Sequence, residues 1–386
     1  MQREVDGDFD GWTLQGEGSR VEARGVRLPI FTLRGLLVFV AVLAVGAAMV
    51  GEEPEAGEEG KGGTRLAGHS GLIDSLRFSS EGGTLLSSGW DRTVRLWDLE
   101  GPGGELGREL ARLTFDSEVF ASAISPDGRV VAVAGNDGLA LWHWERGEVT
   151  RPKHRSIGVS RALAFSPDGS LLAVGGYDHG VHLVDVATSR VEADFMGHRD
   201  VIRKLAFTAD GSRLFSLGYD GRLKAWDVAS RRETDAPAGH DDELPVLSFA
   251  VSPDGLSLAL SRVGADDGGI EIRDVTDGSL RAVCRGARGS GEVHALAFSR
   301  DGEVLASCGS DLGARFWNPA TGRPSGILEG SRGWVRTLDF SADGRWLATS
   351  SAPDEVRLWR VELPRRPAAP ATATTLGESS REAEAA

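Results

Sequence analysis

Ser125-Pro126-Asp127-Gly128 returns as Ser166-Pro167-Asp168-Gly169, Thr208-Ala209-Asp210-Gly211, Ser252-Pro253-Asp254-Gly255, Ser299-Arg300-Asp301-Gly302 and Ser341-Ala342-Asp343-Gly344. A degenerate first copy stands at Ser79-Ser80-Glu81-Gly82-Gly83. Successive copies lie 41 to 47 residues apart. Self-similarity at such a period marks a solenoid or a propeller. The tetrapeptide itself is a turn: Pro suits the second position, Asp tolerates the tight middle, and Gly supplies the positive φ that closes it.

The fourth repeat shows what lies between the turns. Val201–Phe207 mixes apolar and polar positions as a strand does, and Thr208–Gly211 turns the chain. Arg213–Leu217 is the next strand, Tyr219-Asp220-Gly221 the next turn, and Arg222–Trp226 the third strand, with a fourth near Thr234. Four short antiparallel strands per period, with no helical stretch among them, form one propeller blade. Seven copies predict an all-β, seven-bladed propeller over residues 63–363. Thr64–Ala67 precedes the first complete repeat, and the last repeat stops after its third strand at Val361. The N-terminal strand is therefore expected to complete blade 7 and remove an open edge.

The chain has 386 residues, a net charge of -14 and an isoelectric point near 5.1. An acidic balance argues against nucleic acid as a partner, since phosphate binding needs a basic face. Arginine outnumbers lysine 39 to 4, a composition associated with GC-rich bacterial genomes. Cys284 and Cys308 fall in predicted strands and read as small buried hydrophobes. A disulfide between them would require their Cα atoms to lie within bonding range.

Residues 35–51 (GLLVFVAVLAVGAAMVG) are uncharged and mostly apolar, at the short end of what crosses a bilayer. Arg20, Arg24, Arg27 and Arg34 precede the stretch beside a single nearby acid, Glu22; Glu52, Glu53, Glu55, Glu58 and Glu59 follow it. This asymmetry places the N-terminus in the cytoplasm and the propeller on the outer, periplasmic or extracellular, side. Such a stretch is compatible with an uncleaved signal anchor, a cleaved signal peptide or a buried core helix. The 34-residue leader speaks against the second and the lack of a polar face against the third. The expectation is a single transmembrane helix at 35–51 in the cytoplasmic membrane. Residues 1–34 read as a cytoplasmic tail, mostly disordered, and 52–62 as an acidic linker reaching at most about 40 Å. Residues 364–386 read as a disordered tail.

The third strands end in Trp97-Asp98, Trp142-His143, Val184-Asp185, Trp226-Asp227, Arg273-Asp274, Trp317-Asn318 and Trp359-Arg360. Gly-His opens repeats at Gly68-His69, Gly197-His198 and Gly239-His240. In these features the chain resembles the WD-repeat β-propeller family, as a bacterial, membrane-anchored member, over about four-fifths of its length. The resemblance implies a buried network of His, Ser or Thr, Asp and Trp inside a blade. Two blades match it at the same spacing: His69, Ser87, Asp91, Trp97 and His198, Ser216, Asp220, Trp226. Asp can orient the imidazole, the imidazole can accept from the hydroxyl, and the hydroxyl can meet the indole N–H. Repetition in two buried settings argues for structure rather than a hydrolase triad.

Elsewhere the pattern decays. Blade 6 keeps Ser307, Asp311 and Trp317 with Gly289 at the His position. Blade 7 keeps Thr349 and Trp359, with Ser331 and Pro353 at the His and Asp positions. Blade 3 retains only Asp178, and blade 5 carries extra residues around 242–245 and 264–269. Blades 2, 3 and 5 are accordingly expected to be less rigid than 1 and 4.

The resemblance implies protein partners on the face bearing the turn before the network Asp. Trp90, Tyr177 and Tyr219 stand immediately before that Asp. Asp74, Arg161, Arg203, His294 and Arg336 stand five residues after the His site, and Trp334 lies two before Arg336. Such residue types dominate binding hot spots, so Trp90, Asp74, Arg161, Tyr177, Arg203, Tyr219, Trp334 and Arg336 form the candidate partner-binding face. Asp178, His179 and His182 lack a fourth metal ligand, and Asp241–Glu243 and Asp266–Gly269 fit no calcium loop. No metal or cofactor is expected, and the chain is read as a monomeric, non-catalytic scaffold or receptor domain. The alternative is a propeller enzyme or small-ligand sensor using the central channel. Inner strands that read as apolar and small count against it.

Overall fold

The computed structural model describes residues 63–361, apart from 101–105, 153–156, 238–243, 264–268, 287–291, 311–312, 332 and 352, together with a two-residue pairing of Glu22–Ala23 with Val26–Arg27. The candidate span at 35–51, the tail 364–386, the acidic linker and the rest of the N-terminal tail lie outside the described residues. So do Gly239-His240, Asp241–Glu243, Asp266–Gly268, Gly289 and Asp311. Among the described residues no helix is long and apolar enough to cross a membrane.

Seven four-stranded antiparallel sheets follow one another around a central channel. Blade 4 is typical: Ile202–Phe207 is innermost, followed by Arg213–Gly218, Leu223–Asp227 and Arg232–Thr234 outward. Blade 7 supplies Val335–Phe340, Trp346–Ser351 and Glu355–Arg360 and takes its outer strand from the start of the array. Thr64 pairs with Leu358, Arg65 with Arg357 and Leu66 with Val356. The ring thus closes through hydrogen bonds between its two ends, and Leu66, 3% exposed, sits in the cluster joining blades 7 and 1.

Alternation along the strands gives each blade two apolar faces, because it is covered on both sides. Seven apolar clusters result, each shared by two neighbouring blades. The third-strand tryptophans are their largest members: Trp226 of blade 4 packs with Phe195 of blade 3, ring centroids 5.1 Å apart, and Trp317 is 1% exposed. Cys284 and Cys308 are buried in this core and not joined by a disulfide, and burial pushes Cys284 up to about 12.

The recurring tetrapeptide forms a self-contained turn. Ser125 Oγ donates to Asp127 Oδ1 (2.6 Å) and accepts from the Val130 N–H (2.9 Å), while Asp127 Oδ1 also accepts from the Arg129 N–H (3.1 Å). The hydroxyl bond holds Asp127 and Asp168 below the usual carboxylate range and sets Asp210 at about 2. The turn glycines have φ between 68° and 74° in the six full copies. Two of them also meet the preceding blade closely: a Cβ at Gly169 would lie 3.2 Å from Pro126 Cδ, and one at Gly211 3.4 Å from Pro167 Cδ. Positive φ and close approach together call for glycine.

One irregularity recurs in all seven inner strands. The register slips by one residue at Asp74, Phe120, Arg161, Arg203, Leu247, His294 and Arg336. A bulge re-aims the inserted side chain. All of these except Leu247 line the channel.

The seam is the array's one non-sequential sheet pairing. Leu66→Ala is expected to cost about 2–5 kcal/mol, the usual range for an enclosed leucine. Urea unfolding that gives an unchanged midpoint and slope would contradict this closure.

Candidate functional site

In blade 1 the four network residues connect in series. The Trp97 indole N–H donates to Ser87 Oγ (2.8 Å), the Ser87 hydroxyl to His69 Nε2 (2.7 Å), and His69 Nδ1 to Asp91 Oδ2 (2.7 Å). This order fixes the neutral tautomer with its proton on Nδ1. Asp91 also accepts from the Ser70 and Thr93 N–H groups and the Thr93 hydroxyl. Blade 4 repeats the series through Trp226, Ser216 (2.8 Å), His198 (2.8 Å) and Asp220 (3.0 Å). A Cβ at Gly218 would lie 2.7 Å from Asp220 Oδ1 and 2.8 Å from His198 Nδ1, so the residue beside this network must be glycine. Blades 6 and 7 keep the Trp-to-hydroxyl bond, Trp317 to Ser307 and Trp359 to Thr349, each at 2.8 Å.

A second polar site, one that the sequence reading missed, recurs both in blades with the complete series, where Arg95 bonds Glu109 and Lys224 bonds Glu233, and in blades without it. It lies on the third strand, two residues before the Trp position. In blade 3 this residue is His182, 2% exposed, whose Nε2 meets Asp178 and whose Nδ1 meets Asp194, both at 2.6 Å. Burial opposes its charge, but bonds from two carboxylates outweigh that and raise its pKa, so both nitrogens donate. Of the four network positions blade 3 keeps only Asp178, and His182 stands outside them. In blade 5, Glu271 accepts from Arg273 (2.8 Å) and Arg262 (3.3 Å). In blade 7, buried Glu355 accepts from Arg357 (2.6 Å) and Ser351 (2.9 Å). The signal available in sequence was a charged residue at that strand position, where an outward polar residue is expected anyway.

His179 has φ 66° at the turn position held by Arg92 (φ 65°) in blade 1 and Gly221 (φ 73°) in blade 4, so the turn accounts for it. No cluster of three or more potential metal ligands occurs among the described residues.

The structure gathers all eight residues of the candidate face around one mouth of the channel and largely bonds them to one another. Asp74 accepts from Arg336 (2.6 Å) and from the Trp90 indole (2.7 Å), and Arg161 lies 4.0 Å away. Burial works to raise the Asp74 carboxyl, but Arg336 and Arg161 outweigh it and hold it low. The Arg161 guanidinium lies over Phe120 (5.0 Å) and Tyr219 (5.7 Å) and bonds Tyr177. Arg203 lies over the same Tyr219 ring (5.5 Å), and Trp334 stacks on His294 (6.4 Å). The four aromatic rings are half-buried.

The channel, about 900 Å³, corrects one expectation. Alanines do line it in several blades, but so do Arg77, Arg161, Arg203, Lys204 and Arg336, against Asp74 and Asp339. The bulge accounts for this, because it sets Arg203 and Lys204, neighbours in sequence, on the same lining. Period-2 reading puts neighbours on opposite faces. Burial, with Arg77 and Arg203 nearby, lowers Lys204 to about 7. Phenylalanines 78, 165, 207, 298 and 340 occupy the end nearer the tetrapeptide turns.

Fold and site together define a seven-bladed propeller with blade-internal Trp–hydroxyl–His–Asp networks. The family model described as WD domain, G-beta repeat matches residues 60–98, 149–185, 189–227, 278–318 and 322–360, and the chain belongs to that family. The matches pass over blades 2 and 5, where Val133 and Leu260 replace the network hydroxyl. The Periodic tryptophan protein 2 homolog of Schizosaccharomyces pombe is 32% identical over 144 residues, covering 32% of this chain and 16% of that protein. The Ribosome biogenesis protein WDR12 homolog of Chlamydomonas reinhardtii is 29% identical over 173 residues, 36% of this chain and 38% of that one. Apoptotic protease-activating factor 1 of Rattus norvegicus is 25% identical over 296 residues, 76% of this chain and 22% of that one. The chain spans well under half the length of each.

The buried amine has a stability consequence. An unfolded chain keeps the Lys204 proton up to its ordinary pKa of 10.5, whereas the folded chain releases it above about 7. Unfolding therefore takes up a proton between these values, and stability rises with pH across that window. Lys204→Met is expected to be more stable than the parent at neutral pH, with an advantage that shrinks as pH approaches 10.5. Parallel pH–stability curves for the two proteins would contradict the buried amine.

Proposed function

We propose that this chain is a non-catalytic interaction scaffold whose protein partner docks on the mouth ringed by Trp90, Tyr177, Tyr219 and Trp334. The observation that carries it is the concentration of half-buried aromatic rings and arginines at one mouth of a rigid ring. Their mutual bonds hold the rings in place, which lowers the ordering cost of association. The contribution of Asp74, Arg161 and Arg336 is then to position rings rather than to offer free charges. One relative is named for ribosome biogenesis and another as a protease-activating factor; from the shared repeat this reading takes the role of a platform and no particular assembly.

We also propose that residues 35–51 tether the propeller to the cytoplasmic membrane, with the N-terminus inside and the propeller outside. The arginines before the stretch and the acids after it support this orientation.

Two measurements test these readings. Affinity capture with Trp90→Ala, Tyr177→Ala and Tyr219→Ala combined should lower recovery of the partner about tenfold or more relative to the parent, the scale set by hot-spot truncation. Equal recovery excludes this mouth as the docking site. Alkaline phosphatase fused after Ala386 should be active in intact cells, and an inactive but expressed fusion reverses the orientation.

A further inference from the structure

Six cations, Arg300 at the turn end among them, and two carboxylates line the channel of a chain whose net charge is -14. The carboxylates are spoken for. Asp74 is taken by Arg336, Trp90 and Arg161. Asp339 accepts from the Phe78 N–H (2.8 Å) and lies in the field of Arg77, whose guanidinium also donates to the Leu76 carbonyl (2.8 Å).

Arg203 and Lys204 form no hydrogen bond or close ion pair with a carboxylate among the described residues; Glu292 and Asp220 act on Arg203, and Asp339 on Lys204, only through space. Arg203 Nη2 is a buried donor with no hydrogen-bond partner there. The Lys204 ammonium has a long contact to Ser248 Oγ (3.4 Å) and lies over the Phe249 ring (5.5 Å). Neither replaces the hydration that a cation gives up on burial. Arg161 adds to the excess, since it shares the Tyr219 ring with Arg203 and faces Asp74 only at 4.0 Å. Nearby cations depress Arg203, Lys204 and His294, whereas Tyr219 and Asp74 raise Arg161 against the pull of burial. Arg203 is lowered by burial and by Arg161, Lys204 by burial, Arg77 and Arg203, and His294 by burial, Arg203 and Arg336 to about 4. At neutral pH His294 is therefore an uncharged neighbour, able to donate from one ring nitrogen.

We propose that the channel is a binding site for a phosphate-type oxyanion, held by Arg203 and Lys204 of blade 4 with Arg161 of blade 3. A guanidinium fork and an ammonium converging from one bulge suit the several oxygens of a phosphoryl group better than a single carboxylate. The anion would supply the missing acceptor for Arg203 Nη2 and draw a proton onto Lys204. The phenylalanine layer toward the turn end gives an apolar floor for the organic part of a small phosphate monoester. This site goes beyond the partner reading and does not depend on it: the purified propeller alone should bind.

The test is calorimetric titration of the full chain with inorganic phosphate and with phenyl phosphate at constant ionic strength, run in two buffers of different ionisation enthalpy. Saturable one-to-one binding with proton uptake is expected at pH about 8, where Lys204 is mostly neutral before binding. Arg203→Met and Lys204→Met should each weaken it about tenfold or more, the scale of a lost charge-assisted bond. Arg345→Met, on the exposed surface, should leave it unchanged. Tighter binding of phenyl phosphate than of phosphate assigns the site to a monoester, and equal binding to the free ion; both support it. No saturation of either probe by about 10 mM overturns the proposal, as does parent-like binding by both channel variants. Should a variant fail to fold, amine acylation of the parent near pH 7 decides by mass spectrometry. Phosphate should protect Lys204 selectively over Lys224, and equal labelling with and without phosphate overturns the site.

Discussion

Face-to-face packing of neighbouring blades is the constraint on which the rest of this molecule depends. A single four-stranded blade leaves two apolar faces bare, and only another blade of the same shape covers each. Seven clusters, each shared by two blades, satisfy all fourteen faces, provided that the last blade finds the first. The strand Thr64–Leu66 makes that meeting permanent by pairing with Glu355–Arg360. Burial at about 25 cal/mol per Å² of apolar surface supplies the driving force, and the third-strand tryptophans contribute its largest single pieces.

Polar groups inside the blades are solved locally rather than once for the whole ring. Blades 1 and 4 thread Trp, hydroxyl, His and Asp in series. Blade 3 uses an imidazolium between two carboxylates, and blades 5 and 7 use arginine–glutamate groups. Each answers the same requirement, that a buried polar atom find a partner, although Arg357 Nε of blade 7 is left without one among the described residues. Blade 3, expected to be less rigid than blades 1 and 4, holds His182 between Asp178 and Asp194.

The bulge in every inner strand carries the greatest consequence for function. In every blade but the fifth it adds a residue that lines the channel, and so builds a ring of six from positions scattered over about 260 residues. In blades 1, 3, 4 and 7 those residues are charged, and they set both the bonded mouth around Asp74 and the surplus of cations beside it. Aromatic rings on the adjoining turns complete the mouth: Tyr219 lies between two arginines, and Trp90 donates to Asp74.

The repeating turn, the strand order, the number of blades and the closing strand were all legible in the sequence, because each depends on local chemistry or on counting. Ser, Pro, Asp and Gly in a row dictate a turn wherever they stand, and a period of 41 to 47 residues sets the unit. The two full networks were legible for the same reason, since His, Ser, Asp and Trp recur at fixed separations. The meeting of Asp74 with Arg336, 262 residues away, the sharing of Tyr219 by Arg161 and Arg203, and the charge of the channel were decided only by the tertiary structure. Closure brings the ends together, and a one-residue slip turns a side chain from one face of a strand to the other. Alternation along a single strand carries neither piece of information.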